Sequence, residues 1–143
     1  MPEEKAHPKQ KGIKTEAIIR AEFVRRDLTV LEPFGDNERY DFVVETDGEF
    51  HRIQCKTGRM ESGCVVFETR STGVLTYENV RETYDGDIDY FAVYSYETHD
   101  VYLVPIEETG SSSMRLRVDE PGIHSPNINW ADEYRLDENS ECF

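Results

Sequence analysis

A chain of 143 residues is one domain by size; with 30 acidic against 16 basic residues it carries a net charge of −14 and an isoelectric point near 4.6. No stretch reaches the roughly 18 apolar residues of a membrane span, the start is polar and lysine-rich, and Cys55, Cys64 and Cys142 form no C-x-x-C pair. A membrane protein, a disulfide framework, a zinc ribbon and, without a glycine-rich phosphate loop, an ATP-driven enzyme are set aside, and a cytoplasmic location is expected.

Residues 1–11 read as a polar basic tail. Over residues 12–28, Ile13, Ala17, Ala21, Val24 and Leu28 recur at helical spacing and predict a helix with one apolar stripe. Glu16 falls about 60° outside that stripe, a flank position from which it can reach a cleft. Thr29, Val30 and Leu31 form a short apolar piece closed by Pro33 and the turn residues Gly35, Asp36 and Asn37. Residues 39–46 and 49–57 read as strands joined by Asp47-Gly48, a hairpin turn signal. A third strand is expected over 64–71, and a short helix or an ordered loop over 77–87. A second hairpin covers 89–97 and 100–106, a last strand 113–118, and a terminal helix 130–136. Residues 138–143 read as an acidic frayed end, so one domain over 12–137 is expected. The class is α/β, a mixed and mainly antiparallel central sheet flanked by helices.

Charge is uneven along the chain. Residues 1–26 hold seven basic and four acidic residues, a local +3; from Asp85 onward fourteen acids face Arg115, Arg117 and Arg135, a local −11. A polyanion would therefore bind near the N-terminal end of the fold. Lysine is confined to Lys5, Lys9, Lys11 and Lys14, with Lys56 alone afterwards. Abundant acid, arginine in place of lysine and low hydrophobicity suggest a halophile. In molar salt, charge is screened beyond about 3 Å, so an acidic chain can still meet DNA.

The hairpin over residues 39–56 carries the chemistry. Alternation puts Gln54 and Lys56 on one face, about 7 Å apart, with Ile53 and Cys55 on the other. Asp41 opens the partner strand just before the apolar run Phe42-Val43-Val44, and a carboxylate there needs a partner, either Lys56 or a metal cation. Phosphodiester hydrolysis needs a hard cation held by a few oxygens, a polarised phosphate and a further positive group. Asp41, the Gln54 amide oxygen and the Cys55 backbone carbonyl can supply the oxygens, Lys56 the positive charge, and Glu16 a further ligand. A structural pairing of Lys56 with Asp41 or Glu45 is the plainer alternative. Arg39, Arg52, Arg59 and Arg70 flank the site as candidate phosphate contacts, and Lys11 and Lys14 lie near the basic arm. Tyr77 and Tyr84 read as packing residues, and the four histidines show no metal-ligand spacing.

Gly12 and Glu16, then Pro33-Phe34-Gly35-Asp36-Asn37 with Arg39-Tyr40-Asp41, then Arg52-Ile53-Gln54-Cys55-Lys56-Thr57-Gly58-Arg59, together resemble the PD-(D/E)XK endonucleases. The likeness is to intron-encoded homing endonucleases and small archaeal proteins, and more distantly to archaeal Holliday-junction resolvases. It implies a restriction-endonuclease-like αβββαβ core. It also implies Asp41, Gln54, Lys56 and Glu16 as the catalytic set, and Mg²⁺ or Mn²⁺ held by Asp41, Gln54, Glu16 and the Cys55 carbonyl. Gln54 stands where Glu is commoner, which removes one negative ligand. Double-stranded or branched DNA is the expected partner, and a homodimer or homotetramer the expected assembly. A junction resolvase, a catalytically silent binding relative and an acidic DNA mimic are the rival readings.

Overall fold

Pro8 opens the first element, α1 (Pro8–Arg25), at a position where its missing N–H costs nothing. The computed structural model describes residues 8–74, 79–84, 86–110, 112–119 and 127–136. The helix stops in a Schellman arrangement: the Asp27 N–H donates to the Val24 carbonyl, the Leu28 N–H to the Phe23 carbonyl, and Asp27 takes φ 61°. Its buried stripe is Thr15, Ile19 and Phe23. The expected stripe was the wrong one, since Ile13 and Val24 are 63% and 55% exposed. The sequence offers two apolar faces, and the larger Phe23 and Ile19 take the core. Thr15 joins them because its hydroxyl meets Thr57 Oγ1 at 2.7 Å and the Tyr96 hydroxyl at 2.9 Å.

Nine strands follow among the described residues: β1 (Thr29–Leu31), β2 (Phe42–Thr46), β3 (Glu49–Glu61), β4 (Cys64–Glu68), β5 (Arg70–Val74), β6 (Asn79–Thr83), β7 (Tyr90–Ser95), β8 (Val101–Pro105) and β9 (Ser113–Arg117). Seven of them form one mixed sheet organised around β3. Antiparallel β2 pairs with its first part, Phe42 opposite Ile53, through Asp47 and Gly48 at φ 52° and 81°, the positive pair of a type I′ turn. Parallel β7 pairs with its middle, from Ile53–Tyr90 to Gly58–Ser95, and antiparallel β4 with its end, from Arg59 to Glu61. Gly58 marks the change of partner. A Cβ there would stand 2.5 Å from Val65 Cγ1 and 3.0 Å from Val93 Cγ1, so β3 and β4 approach too closely for any side chain.

Two cores lie on opposite faces. Ile19 and Phe23 of α1 pack on Phe42, Val44, Ile53, Ala92 and Leu103. Phe91, Val93 and Val104 face Val65, Phe67 and Leu116 of the β4–β9 pair. The alternating residues of β7 are thus buried on both sides, as a central strand with a parallel neighbour requires.

The mixed restriction-endonuclease-like sheet matches the expectation, with lighter helical cover: α1 is the one α-helix among the described residues. Within residues 77–87, where a helix or loop was expected, Asn79–Thr83 is strand β6; residues 77, 78 and 85 lie outside the described set. The terminal helix shrinks to a 3-10 turn, Ala131–Glu133. Seven residues are too few to hold a helix unaided, and the edge of β8 offers more: Leu103 N–H donates to Tyr134, and Leu136 N–H to Val101. The acidic end, residues 138–143, and the tail over residues 1–7 lie outside the described residues.

Candidate active site

Asp41 stands one residue before β2 and is tied to β3 twice. Its backbone N–H donates to the Ile53 carbonyl at 2.8 Å, and its Oδ2 accepts the Cys55 N–H at 2.7 Å. Burial raises its carboxyl from 3.8 to about 6, Glu16 adds to the rise, and the Cys55 N–H and Lys56 oppose it. Cys55 packs its side chain against the α1 core, where burial pushes the thiol well above its ordinary range.

Glu16 reaches this acid from α1. Thr15, bonded to Thr57 of β3, seats the helix on the strand and sets its neighbour beside Asp41. Arg20 holds the Glu16 carboxylate at 2.9 Å and also pairs with Glu32 at 2.7 Å. Gln54 Nε2 donates to the Cys55 carbonyl at 3.4 Å, which sets the side-chain amide beside that main-chain oxygen. Lys56 donates to the Tyr84 hydroxyl at 3.4 Å and stands 4.9 Å from its ring centroid. The structure therefore brings together Glu16, Asp41, Gln54, the Cys55 main chain and Lys56.

Tyr84 is the residue that sequence reasoning missed. It is buried, and on its ring rests the Arg39 guanidinium, 4.1 Å from the centroid, while Arg39 also pairs with Asp87 at 3.1 Å. No local signal separates this tyrosine from a packing residue; only the folded chain brings it to Lys56.

The other basic candidates are dispersed. Arg52 is a strut: its N–H and Nε donate to Asp89 Oδ2, its Nη2 to Oδ1, and its Nη1 to the Gly86 carbonyl. Lys11 and Lys14 lie over the Tyr96 ring at 4.9 and 5.5 Å. Arg59 sits between Glu61 and Glu68, and Arg70 opens β5.

Among the described residues no three His, Cys, Asp or Glu side chains cluster as a metal site. The oxygen set here is of another kind, two carboxylates supplemented by amide and main-chain oxygens. Asp41, desolvated and facing Glu16, carries negative charge that a divalent cation would relieve. A small number of carboxylates suits Mg²⁺ or Mn²⁺, which keep several waters of their own. The residues present fit such an ion.

A family model described as PD-(D/E)XK endonuclease matches residues 6–137. The chain belongs to that family. No curated protein sequence matches it. Among solved structures, this PD-(D/E)XK chain is similar to a bacterial homing endonuclease, I-Ssp6803I, with a TM-score of 0.75 and 24% identity over 91% of this chain and 89% of that one. At that identity the likeness shows the fold, the mixed sheet with its preceding helix. No helix among the described residues is long and apolar enough to cross a membrane.

Proposed function

We propose that this nuclease-family chain is a site-specific, metal-dependent endonuclease of the homing type, hydrolysing phosphodiester bonds in double-stranded DNA. The observation that carries the reading is the half-buried Asp41 carboxylate, fixed on the Cys55 N–H with Glu16 and Lys56 around it. Asp41, Gln54, the Cys55 carbonyl and Glu16 would hold the Mg²⁺ or Mn²⁺. When bound, the ion supplies charge neutralisation on the phosphate and a more acidic water.

The chain's own residues do the positioning. Lys56, steadied by Tyr84, orients the attacking water and faces the charge that develops on the non-bridging oxygens. The water oxygen bonds phosphorus, the P–O3′ bond breaks, and the departing oxygen takes a proton. Arg39, poised on Tyr84, can meet a neighbouring phosphate; Lys11, Lys14, Arg59 and Arg70, dispersed over the fold, would make separate phosphate contacts at most. Two strands call for two centres, so a homodimer or homotetramer belongs to the same reading. The −14 charge and the rarity of lysine support a salt-rich cytoplasm, as in a halophilic archaeon.

The test is cleavage of plasmid and four-way-junction DNA with Mg²⁺ or Mn²⁺ across a KCl series, beside Lys56→Ala. Metal-dependent cutting should disappear in the variant. Preference for the junction would favour a resolvase with the same chemistry, and cutting that survives in Lys56→Ala would rule this centre out.

A further inference from the structure

Glu16 enters the proposed centre already partnered. Arg20, one turn further along α1, donates from Nη2 to the Glu16 Oε1 at 2.9 Å, and the same nitrogen pairs with the Glu32 Oε1 at 2.7 Å. An arginine–carboxylate pair is frequently closed by two parallel bonds; here one nitrogen is divided between two acids. The rest of the guanidinium is no better served. Its Nε is enclosed with no hydrogen-bond acceptor among the described residues, a costly state for a charged donor. Its Cζ lies 5.6 Å from the centre of the Phe42 ring, and Phe42 is the residue after Asp41.

An i,i+4 ion pair on a helix surface contributes little and calls for no function. Arg20 departs from that case in three ways. Its side chain is only 33% exposed. Its second acid comes from the connection between β1 and Asp41, not from the helix. The acid it holds is the one whose charge reaches Asp41.

Charge gives the arrangement a use. Before a divalent cation binds, Glu16 and Asp41 repel each other, and Arg20 offsets the Glu16 charge. A cation on Glu16 reverses the need, because the guanidinium then stands as a like charge beside the ion's own ligand. Division of one nitrogen between two acids makes the exchange easy. Arg20 can release Glu16 and keep Glu32, so it is never left without a carboxylate.

We infer that Arg20 is a built-in counter-ion for Glu16, given up when the divalent cation binds, and that Glu32 is the acid that then retains it. Arg20 and Glu32 are positioning residues: neither holds the ion, and together they set the affinity of the site for it. The inference rests on the reading of Glu16 as a metal ligand, and adds to it the pair that tunes that ligand.

The experiment is calorimetric titration of the full chain with Mn²⁺, without DNA, in high KCl, which screens exposed acids more than this partly buried network. Circular dichroism establishes that each variant is folded. Glu16→Gln should lose the tight site. Arg20→Gln should bind Mn²⁺ more tightly and Glu32→Gln more weakly, each by about threefold or more. Glu32 is 58% exposed, so its variant tests the idea without disturbing packed residues. With Arg20→Gln and Glu32→Gln combined, the loss due to Glu32 should disappear, because Glu32 acts through Arg20. A loss that persists would make Glu32 a remote charge, and weaker binding in Arg20→Gln would make Arg20 a support for Glu16; either overturns the counter-ion. If Glu16→Gln binds as wild type does, the metal set and the counter-ion fall together. Wild-type affinity in Arg20→Gln and Glu32→Gln, beside a tight site lost in Glu16→Gln, rejects the counter-ion and spares the nuclease. Plasmid cutting judges the nuclease separately: the two opposed shifts without metal-dependent cutting uphold the counter-ion and reject the nuclease.

Discussion

Asp41 holds its carboxylate where water is scarce and Glu16 stands close, so ionising it is harder in the folded chain than in the unfolded one. Below 3.8 both states carry the proton; between 3.8 and about 6 only the folded state does, and stability falls as pH rises; above about 6 the whole cost is present. Asp41→Asn should therefore raise stability at pH 7, by up to about 3 kcal/mol at roughly 1.4 kcal/mol per pKa unit, and the gain should vanish near pH 3.8. Urea unfolding at several pH values reads this directly, and an unchanged or lower midpoint at pH 7 would refute it. The same variant should lose cleavage, since it removes one of the two carboxylate charges proposed to hold the cation. Tyr84→Phe tests the neighbouring contact. The ring stays against Phe91, so stability should hold, while kcat drops by about fivefold to tenfold with little change in KM, as for loss of one ordinary hydrogen bond, the contact being long at 3.4 Å. A fall in melting temperature with unchanged kcat would make Tyr84 a packing residue after all. The placement of Asp41, Gln54 and Lys56 on adjoining strands was legible from strand alternation and a hairpin turn, while their roles came from the family resemblance. That of Tyr84 was not, since its meeting with Lys56 spans 28 residues and depends on where strands β5 and β6 return the chain.

At the scale of elements, the strands were legible and the faces of the helix were not. Asp47-Gly48 announced the β2–β3 hairpin because both residues must take positive φ. Helix α1 misled because Ile13, Ala17, Ala21 and Val24 made a cleaner stripe than Thr15, Ile19 and Phe23, and the burial of Thr15 depends on hydroxyl partners 42 and 81 residues away. That anchoring has a testable consequence. Thr15→Val keeps the volume but leaves the hydroxyls of Thr57 and Tyr96 without their shared partner. It should destabilise by about 1–2 kcal/mol and, by loosening α1 over β3, weaken activation by Mg²⁺ through Glu16. A metal titration of cleavage would show it; an unchanged half-saturating concentration would mean that Glu16 takes no part. Gly58 is the second constraint. Gly58→Ala drives a methyl into Val65 and Val93, both fully buried, and should cost about 1–3 kcal/mol by overpacking. Adding Val65→Ala should return part of that loss. A Gly58→Ala chain as stable as wild type would show that β4 can move aside.

For the whole molecule, the −14 charge sets two tendencies against each other. Self-repulsion among thirty acids destabilises the folded chain, and the compensating pairs, such as Arg59 with Glu61 and Glu68, are exposed and individually weak. Raising KCl shortens the screening length from about 10 Å at 0.1 M to about 3 Å at 1 M, so thermal stability should climb over that range. Phosphate contacts respond in the opposite sense, because each one neutralised by Lys or Arg releases counterions, and affinity falls with the logarithm of salt. Cleavage of a specific duplex should then pass through an optimum in KCl, rising while the fold consolidates and falling once DNA binding weakens. Melting curves and initial rates on the same KCl series separate the two limbs. The rising limb must follow the melting temperature, and the falling limb must follow KM and spare kcat. If melting temperature were flat while activity fell from the lowest salt onward, the chain would be an ordinary acidic protein, and the abundance of acid would need an explanation other than life in salt.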